Sequence, residues 1–172
     1  MKTAWILSIG LVLSGCTTVQ SYLSGESGDE AFVEKAAESG MLEVQLGKLA
    51  QEKSQDQQVQ QFGKRMVEDH SKANQELQQI AAREGFAIPQ QLEEKAKDKR
   101  AELAQLSGSE FDRRYMKEMV KEHEKDVALF ERHAEKGQNP TLRTFAEEQI
   151  GTLRDHLQHA EHTADAVGAG GR

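Results

Sequence analysis

Three histidines and one glutamate occupy matching places in the sequence and form its best candidate for a chemical site. His70, His123 and His156 each interrupt an apolar stripe of helical spacing, and Glu43 interrupts a stripe of small residues. Each lies about fourteen to sixteen residues after the start of its own predicted helix. Because midpoints of aligned helices share one layer, we expect these four side chains to meet inside the protein. Three imidazoles with one carboxylate suit a divalent transition metal, namely zinc, iron, nickel or copper.

An acidic residue directly precedes each of these histidines. Asp69, Glu122 and Asp155 point about 100° away from the histidine that follows them on a helix. They are therefore candidates for orienting an imidazole on a neighbouring helix, as carboxylates do around metal-bound histidines. The alternative is a metal-free layer, in which hydrogen bonds between the histidines and Glu43 satisfy the buried polar groups and set the helix register.

Four long helices and one short helix are predicted to position these residues. Apolar residues recur at steps of three and four along the chain after residue 28. The start and stop signals are Ser27 with Glu30, Ser54 with Gln57, Gly85, Ser109 with Asp112, Gly137, and Asn139 with Pro140. They predict long helices over residues 29–53, 54–85, 109–137 and 140–167, and a short charged helix over residues 90–106.

The predicted fold is all-α, a ferritin-like four-helix bundle with a short extra helix between helices 2 and 3. The composition favours helix over sheet, with 30% charged and 5% aromatic residues. The segment Phe62–His70 recurs as Tyr115–His123, which indicates two related helical hairpins. The short helix can carry the chain back along the bundle, so that helices 2 and 3 run parallel. A plain up-down bundle with an extra capping helix is the alternative.

The first sixteen residues are typical of an exported protein. One positive residue precedes an apolar stretch over 4–13, which is too short to span a bilayer and fits a signal peptide. Leu13, Ser14, Gly15 and Cys16 then resemble the bacterial lipobox, which implies lipidation of the Cys16 thiol. We predict a signal peptide over 1–15, a lipidated Cys16 with a flexible tether over 16–28, a helical domain over 29–167 and a flexible tail over 168–172.

The lipid on Cys16 defines the expected location and partners. Residue 18 is threonine rather than aspartate, which by the usual sorting rule implies the outer membrane, with the domain facing the periplasm. The net charge is −7 and the bases are interspersed with acids, so nucleic acid is excluded as a partner. Cys16 is the only cysteine, so no disulfide can form within the chain. Protein partners remain open.

Several short segments together resemble a bacterial envelope family. They are Phe32-Val33 with Ala36-Ala37, Glu43-Val44 with Leu49-Ala50, Met66-Val67 with Asp69-His70, Phe111-Asp112 with Tyr115, Met119-Val120 with His123, and Leu153 with His156. The family is the domain of unknown function numbered 4142, and the resemblance covers about residues 29–164. It implies a ferritin-like four-helix fold in the periplasm, but no settled activity.

The sequence departs from the di-iron pattern of many ferritin-like proteins. Those proteins carry glutamate three residues before a ligating histidine, whereas this chain has Val67, Val120 and Leu153 at those positions. A di-iron oxidase is therefore disfavoured, and we predict that the protein is not an enzyme. The predicted role is metal buffering or envelope stress protection. The alternative is a structural or protein-interaction module of the envelope with a metal-free polar core.

Overall fold

The structure, a computed structural model, describes residues 28–170. Over this range the chain forms five α-helices and no strand: α1 Gly28–Lys53, α2 Gln57–Glu84, α3 Glu94–Ala104, α4 Gly108–Lys136 and α5 Pro140–Ala166. The predicted all-α class, with four long helices and one short helix, is confirmed. No helix within residues 28–170 has the length and apolar character needed to cross a membrane. The predicted signal peptide and Cys16 lie outside the described residues.

Helices α1 and α4 are antiparallel neighbours. The carboxylate of Asp29, at the start of α1, accepts a hydrogen bond of 2.9 Å from the backbone N–H of Gln138, just after α4 ends. Further along, the hydroxyl of Ser39 in α1 donates to the carboxylate of Asp126 in α4 at 2.8 Å. Residue numbers therefore rise along α1 as they fall along α4.

The same antiparallel relation holds between α2 and α5. The Asn139 amide at the start of α5 donates to the carboxylate of Glu84 at the end of α2, at 2.8 Å. Near the middle of both helices, His156 lies 2.8 Å from Asp69. Because α1–α2 and α4–α5 are the two hairpins, α2 and α4 run parallel to each other. This is the up-down-down-up order of a ferritin-like bundle, as predicted.

The short helix α3 lies in the connection that makes this order possible. Gly85 ends α2 with φ 81°, a left-handed conformation that favours glycine. The chain then returns along the bundle, and α3 packs on α1 and α4. The ammonium group of Lys99 in α3 binds the carboxylates of Glu118 and Glu122 in α4 at 2.5 and 2.6 Å. The helix is shorter than the predicted 90–106, covering Glu94–Ala104.

Side-chain caps set the starts of α2 and α5. The carboxylate of Asp56 accepts from the second and third backbone N–H groups that follow it, at 2.8 and 3.2 Å, and so caps α2 in place of the predicted Ser54. Asn139 caps α5, followed by Pro140 at the first helical position, as predicted. The start of α5 is therefore as predicted, and α2 starts a few residues later than predicted.

Two apolar clusters fill the bundle, one towards each end, and a polar layer separates them. The cluster towards the end of α1 includes Leu46, Phe62, Met66, Tyr115 and Ala160. The cluster towards the start of α1 includes Phe32, Leu77, Phe130, Phe145 and Leu153. The interruption falls at the midpoints of the four long helices, where the sequence places its histidines.

Residues 168–170, where the predicted tail begins, form a turn on the end of α5. Gly168 has φ 74°, and the backbone N–H of Ala169 donates to the carbonyl of Ala164 at 2.7 Å. Ala169 also packs against the core. The turn satisfies carbonyls at the end of α5 and so extends the hydrogen bonding of this helix to residue 170.

Candidate metal centre

The four residues predicted to form a polar layer meet at the centre of the bundle. Glu43 comes from α1, His70 from α2, His123 from α4 and His156 from α5. The three imidazole centroids lie 5.2 to 5.6 Å apart. Glu43, His123 and His156 are fully buried, and His70 is 6% exposed. The layer therefore contains three imidazoles and one carboxyl group shielded from water.

The hydrogen bond of His123 determines which of its nitrogens faces the layer. Nδ1 lies 2.9 Å from the carbonyl oxygen of Met119. Because a carbonyl can only accept, Nδ1 carries the hydrogen, and the neutral ring holds its lone pair on Nε2. Nε2 is buried and has no hydrogen-bond partner. It is therefore available as a metal ligand.

His156 is oriented in the same way by a side chain of α2. Its Nε2 donates to the carboxylate of Asp69 at 2.8 Å, which leaves the lone pair on a buried Nδ1 without a partner. Burial acts to raise the pKa of Asp69, but the bonds from His156 and Arg65 bring that pKa below its usual value. Asp69 is thus an ionised acceptor, the arrangement that holds metal-bound histidines in place.

Glu43 lies between two of the histidines. Its carboxyl oxygens are 3.0 Å from Nδ1 of His70 and 3.4 Å from Nε2 of His123. Neither contact has the alignment of a hydrogen bond, so both oxygens and Nε2 of His70 remain unsatisfied. Orphaned buried polar atoms are rare in folded proteins, and together they indicate a missing shared partner.

The three histidines meet the spacing requirement for a metal site. One nitrogen from each of His70, His123 and His156 lies within 4.8 Å of those of the other two. Tetrahedral zinc with bonds of 2.0 to 2.1 Å sets its ligands about 3.4 Å apart. The three nitrogens would therefore have to move closer together to bind such an ion.

Burial also selects the protonation state that metal binding needs. It lowers the pKa of His70 to about 4 and of His156 to about 3, and it lowers the pKa of His123. All three rings are therefore neutral at neutral pH, which is the form that coordinates metals. Burial raises the pKa of Glu43, so a cation in the layer would compete with a proton for this carboxyl group.

A second carboxyl group belongs to the site and was missed in the sequence. Asp126 is 4% exposed and accepts hydrogen bonds from the hydroxyl of Ser39. Burial and the nearby Glu43 raise its pKa well above the usual value. Helical spacing could have revealed this residue in the sequence. Asp126 lies three residues after His123, so the two share a face of α4, and Ser39 lies four residues before Glu43, so these two share a face of α1.

One protein-family model matches most of the chain. Residues 15–163 match the model of the family Domain of unknown function (DUF4142). The chain belongs to the DUF4142 family. No match was found among the curated proteins. Family membership therefore agrees with the predicted resemblance and leaves the activity of this DUF4142 chain to be argued from its site.

Two solved structures share the fold of the DUF4142 chain. One is a DUF305 protein from Streptomyces coelicolor described as secreted, with 11% identity, a TM-score of 0.72, and coverage of 85% of this chain and 97% of that one. The other is a DUF305 fragment from Deinococcus radiodurans, with 16% identity, a TM-score of 0.70, and coverage of 83% and 97%. At these identities the likeness concerns the fold alone.

Two residues predicted to orient the histidines of this DUF4142 domain lie elsewhere. The carboxylate of Glu122 is bound by Lys99 of α3 at 2.6 Å and by Lys125 at 2.8 Å. Asp155 is exposed on α5. Glu122 faces α3, which covers that side of α4, and Asp155 faces solvent on α5. Of the three predicted residues, only Asp69 bonds a layer histidine.

A small cavity adjoins the layer on the side of the apolar cluster that lies towards the start of α1 and includes Phe130. Its volume is about 30 Å³, and its walls include Glu43, His70 and His156. Room for one water needs roughly 10–15 Å³, so the cavity can hold a cation with a water molecule but no larger compound. Gly40 also lines the cavity, and a larger residue there would clash with its wall. A Cβ at this position would lie 2.1 Å from the amide oxygen of Asn74, another lining residue.

Proposed function

We propose that this chain binds one divalent transition-metal ion in its polar layer. His70, His123 and His156 supply nitrogen ligands and Glu43 supplies an oxygen ligand. The observation that carries the proposal is the convergence, within 4.8 Å, of three buried histidines whose free nitrogens lack hydrogen-bond partners. The donor set suits zinc, iron, nickel or copper, which accept imidazole together with a carboxylate.

The proposed role is metal buffering or protection of the cell envelope, rather than catalysis. The cavity beside the layer has a volume of about 30 Å³, which leaves no space for an organic substrate. In addition, Val67, Val120 and Leu153 occupy the positions where di-iron enzymes of this fold carry glutamate. Both features support a site that holds an ion without transforming a substrate.

Elemental analysis of the native protein tests the proposal directly. The mature chain, purified without a metal-binding tag, is expected to contain about one equivalent of a transition metal, because a folded three-histidine site retains its ion. After chelation, titration with Zn²⁺, Co²⁺, Ni²⁺ or Cu²⁺ should restore that stoichiometry. An empty native protein that takes up none of these ions would contradict the proposal.

A metal-free layer within a structural or protein-interaction module is the second candidate. It is supported by the bonds from Ser39 to Asp126 and from His156 to Asp69, which satisfy part of the layer without an ion. In that case the melting temperature would not depend on any divalent ion. The same titration therefore separates the two candidates.

We also propose that the domain is held at the outer membrane by lipid on Cys16. The lipobox-like Leu13 to Cys16 segment and Thr18 support this location, and a solved structure of the same fold is described as secreted. Mass spectrometry of the membrane fraction is expected to show a mature chain that begins at an acylated Cys16. A native chain beginning at another residue, or an unmodified Cys16, would contradict the anchor.

A further inference from the structure

The buried cavity of the metal site shares a wall with a groove on the protein surface. The groove lies between α1, α3 and α4 and has a volume of about 420 Å³. Two residues, Ser39 and Asp126, line both spaces. A cation that passed between these two side chains would move from the groove into the layer without crossing the apolar clusters.

The two residues that line both spaces also contact each other. The Ser39 hydroxyl lies 2.8 Å from each oxygen of the Asp126 carboxyl group. Ser39 is partly exposed, whereas Asp126 is 4% exposed. Rotation of a serine side chain is fast and requires no backbone movement, so this contact can open easily.

Asp126 faces the predicted ligands on its inner side. It lines the cavity together with Glu43, His70 and His156, and its carboxyl group neighbours that of Glu43. An ion held by Asp126 would therefore be one step from the oxygen and nitrogen donors of the layer. Zinc, iron, nickel and copper ions accept both carboxylate oxygens and imidazole nitrogens.

The other acidic groups in the groove differ in whether they are free to attract a cation. Lys99 and Lys125 already bind Glu122. Glu38 and Glu93 lie close enough at the rim for the charge of Glu93 to raise the pKa of Glu38, with burial as the larger cause. Five basic residues also line the groove: Lys35, Lys95, Lys99, Lys125 and Arg132. The overall charge of the groove does not draw in a cation, so the route depends on the position of Asp126 between the two spaces.

We infer that Asp126 is the capture ligand of the site, which takes a divalent cation from the groove beneath α3 and passes it to Glu43 and the histidines. Ser39 closes this route by bonding to Asp126 when no ion is passing. The inference rests on the proposed metal-binding function and adds the residue that governs how fast the ion binds.

The opposite side of the layer is a less suitable route. There Asp69 is engaged by His156 at 2.8 Å and by the guanidinium of Arg65 at 3.3 Å. The imidazole and the guanidinium already occupy the Asp69 carboxylate, so it is not free to take up a cation. On the groove side, the carboxyl group of Asp126 contacts the Ser39 hydroxyl and the carboxyl group of Glu43.

Stopped-flow mixing of the mature chain with Co²⁺, followed by the visible absorbance of the bound ion, tests the inference. Asp126→Asn is expected to lower the association rate constant about tenfold, since an amide, unlike a carboxyl group, cannot release a proton and become an anionic ligand. Ser39→Ala is expected to raise the association and dissociation rate constants together by about threefold, the effect of losing one hydrogen bond, so that Kd stays unchanged. Glu124→Gln is the control, because Glu124 is exposed on α4 outside the groove.

The outcomes separate this inference from the proposed function. If wild-type protein binds Co²⁺ and Asp126→Asn binds it at the wild-type rate, the capture role is wrong and the metal site stands. If Ser39→Ala changes Kd but not the association rate, Ser39 is not a gate and the route is wrong. If wild-type protein takes up no Co²⁺, the proposed function and this inference fail together.

Discussion

His123→Ala should weaken the binding of Zn²⁺ or Co²⁺ at least about 100-fold, the upper end of what is lost when a residue that only supports a metal ligand is removed. His123 is fully buried, and its Nδ1 bond to the Met119 carbonyl leaves Nε2 free to bind the ion. No neighbouring side chain can replace that nitrogen. Isothermal titration calorimetry of the mature chain measures the change.

The matched control is His162→Ala, which removes an exposed histidine from α5. It is expected to leave the affinity unchanged and so exclude adventitious binding by surface imidazoles. A second readout is the melting temperature with excess ion, which should rise for the wild type and the control but not for His123→Ala, because a ligand stabilises only the state that binds it. Equal affinities for all three proteins would remove His123 from the site.

Gly47→Ala should lower the free energy of unfolding by about 1–3 kcal/mol, as overpacking does in a close interface. A Cβ at Gly47 would lie 2.5 Å from the backbone carbonyl oxygen of Gly63 in α2. Backbone atoms cannot rotate away, so α1 and α2 would have to separate. Their separation would also displace Glu43 and His70, which lie on these two helices. Urea denaturation followed by circular dichroism measures the loss.

Gly151→Ala provides the control of opposite sign. Gly151 is exposed in the middle of α5, and a Cβ there would meet nothing within 4 Å. Alanine is favoured over glycine inside a helix by about 0.5–1 kcal/mol, so this substitution should stabilise the chain. Two identical substitutions with opposite effects would establish that contact, and not helix propensity, decides the outcome at Gly47. Stabilisation by both would contradict the close approach of α1 and α2.

The polar layer of Glu43, Asp126 and the three histidines carries an energetic cost. Placing three histidines and two carboxyl groups in the core interrupts the apolar packing, which is costly unless each polar atom finds a partner. In this layer several atoms of Glu43 and the histidines have none. Apolar residues at the same positions would pack well, as they do in the two clusters on either side. The unsatisfied atoms of the layer therefore support the proposed role in binding.

The sequence by itself determined the helices and the level at which the site lies. Steps of three and four define the buried stripe of each helix, and Gly85 and Asn139 mark two boundaries by local backbone chemistry. Because midpoints of equal helices coincide in any bundle, the meeting of Glu43 with the histidines needed no knowledge of topology. That is why these four residues could be predicted together.

Only the tertiary structure decided which neighbour each side chain meets. Asp69 bonds His156 because α2 and α5 are adjacent, whereas Glu122 binds Lys99 because α3 covers that face of α4. Helical periodicity gives the direction of a side chain from its own axis, but not the identity of the element on that side. Asp126 escaped prediction for the same reason, since its position after His123 becomes meaningful only when Ser39 and Glu43 of α1 lie opposite it.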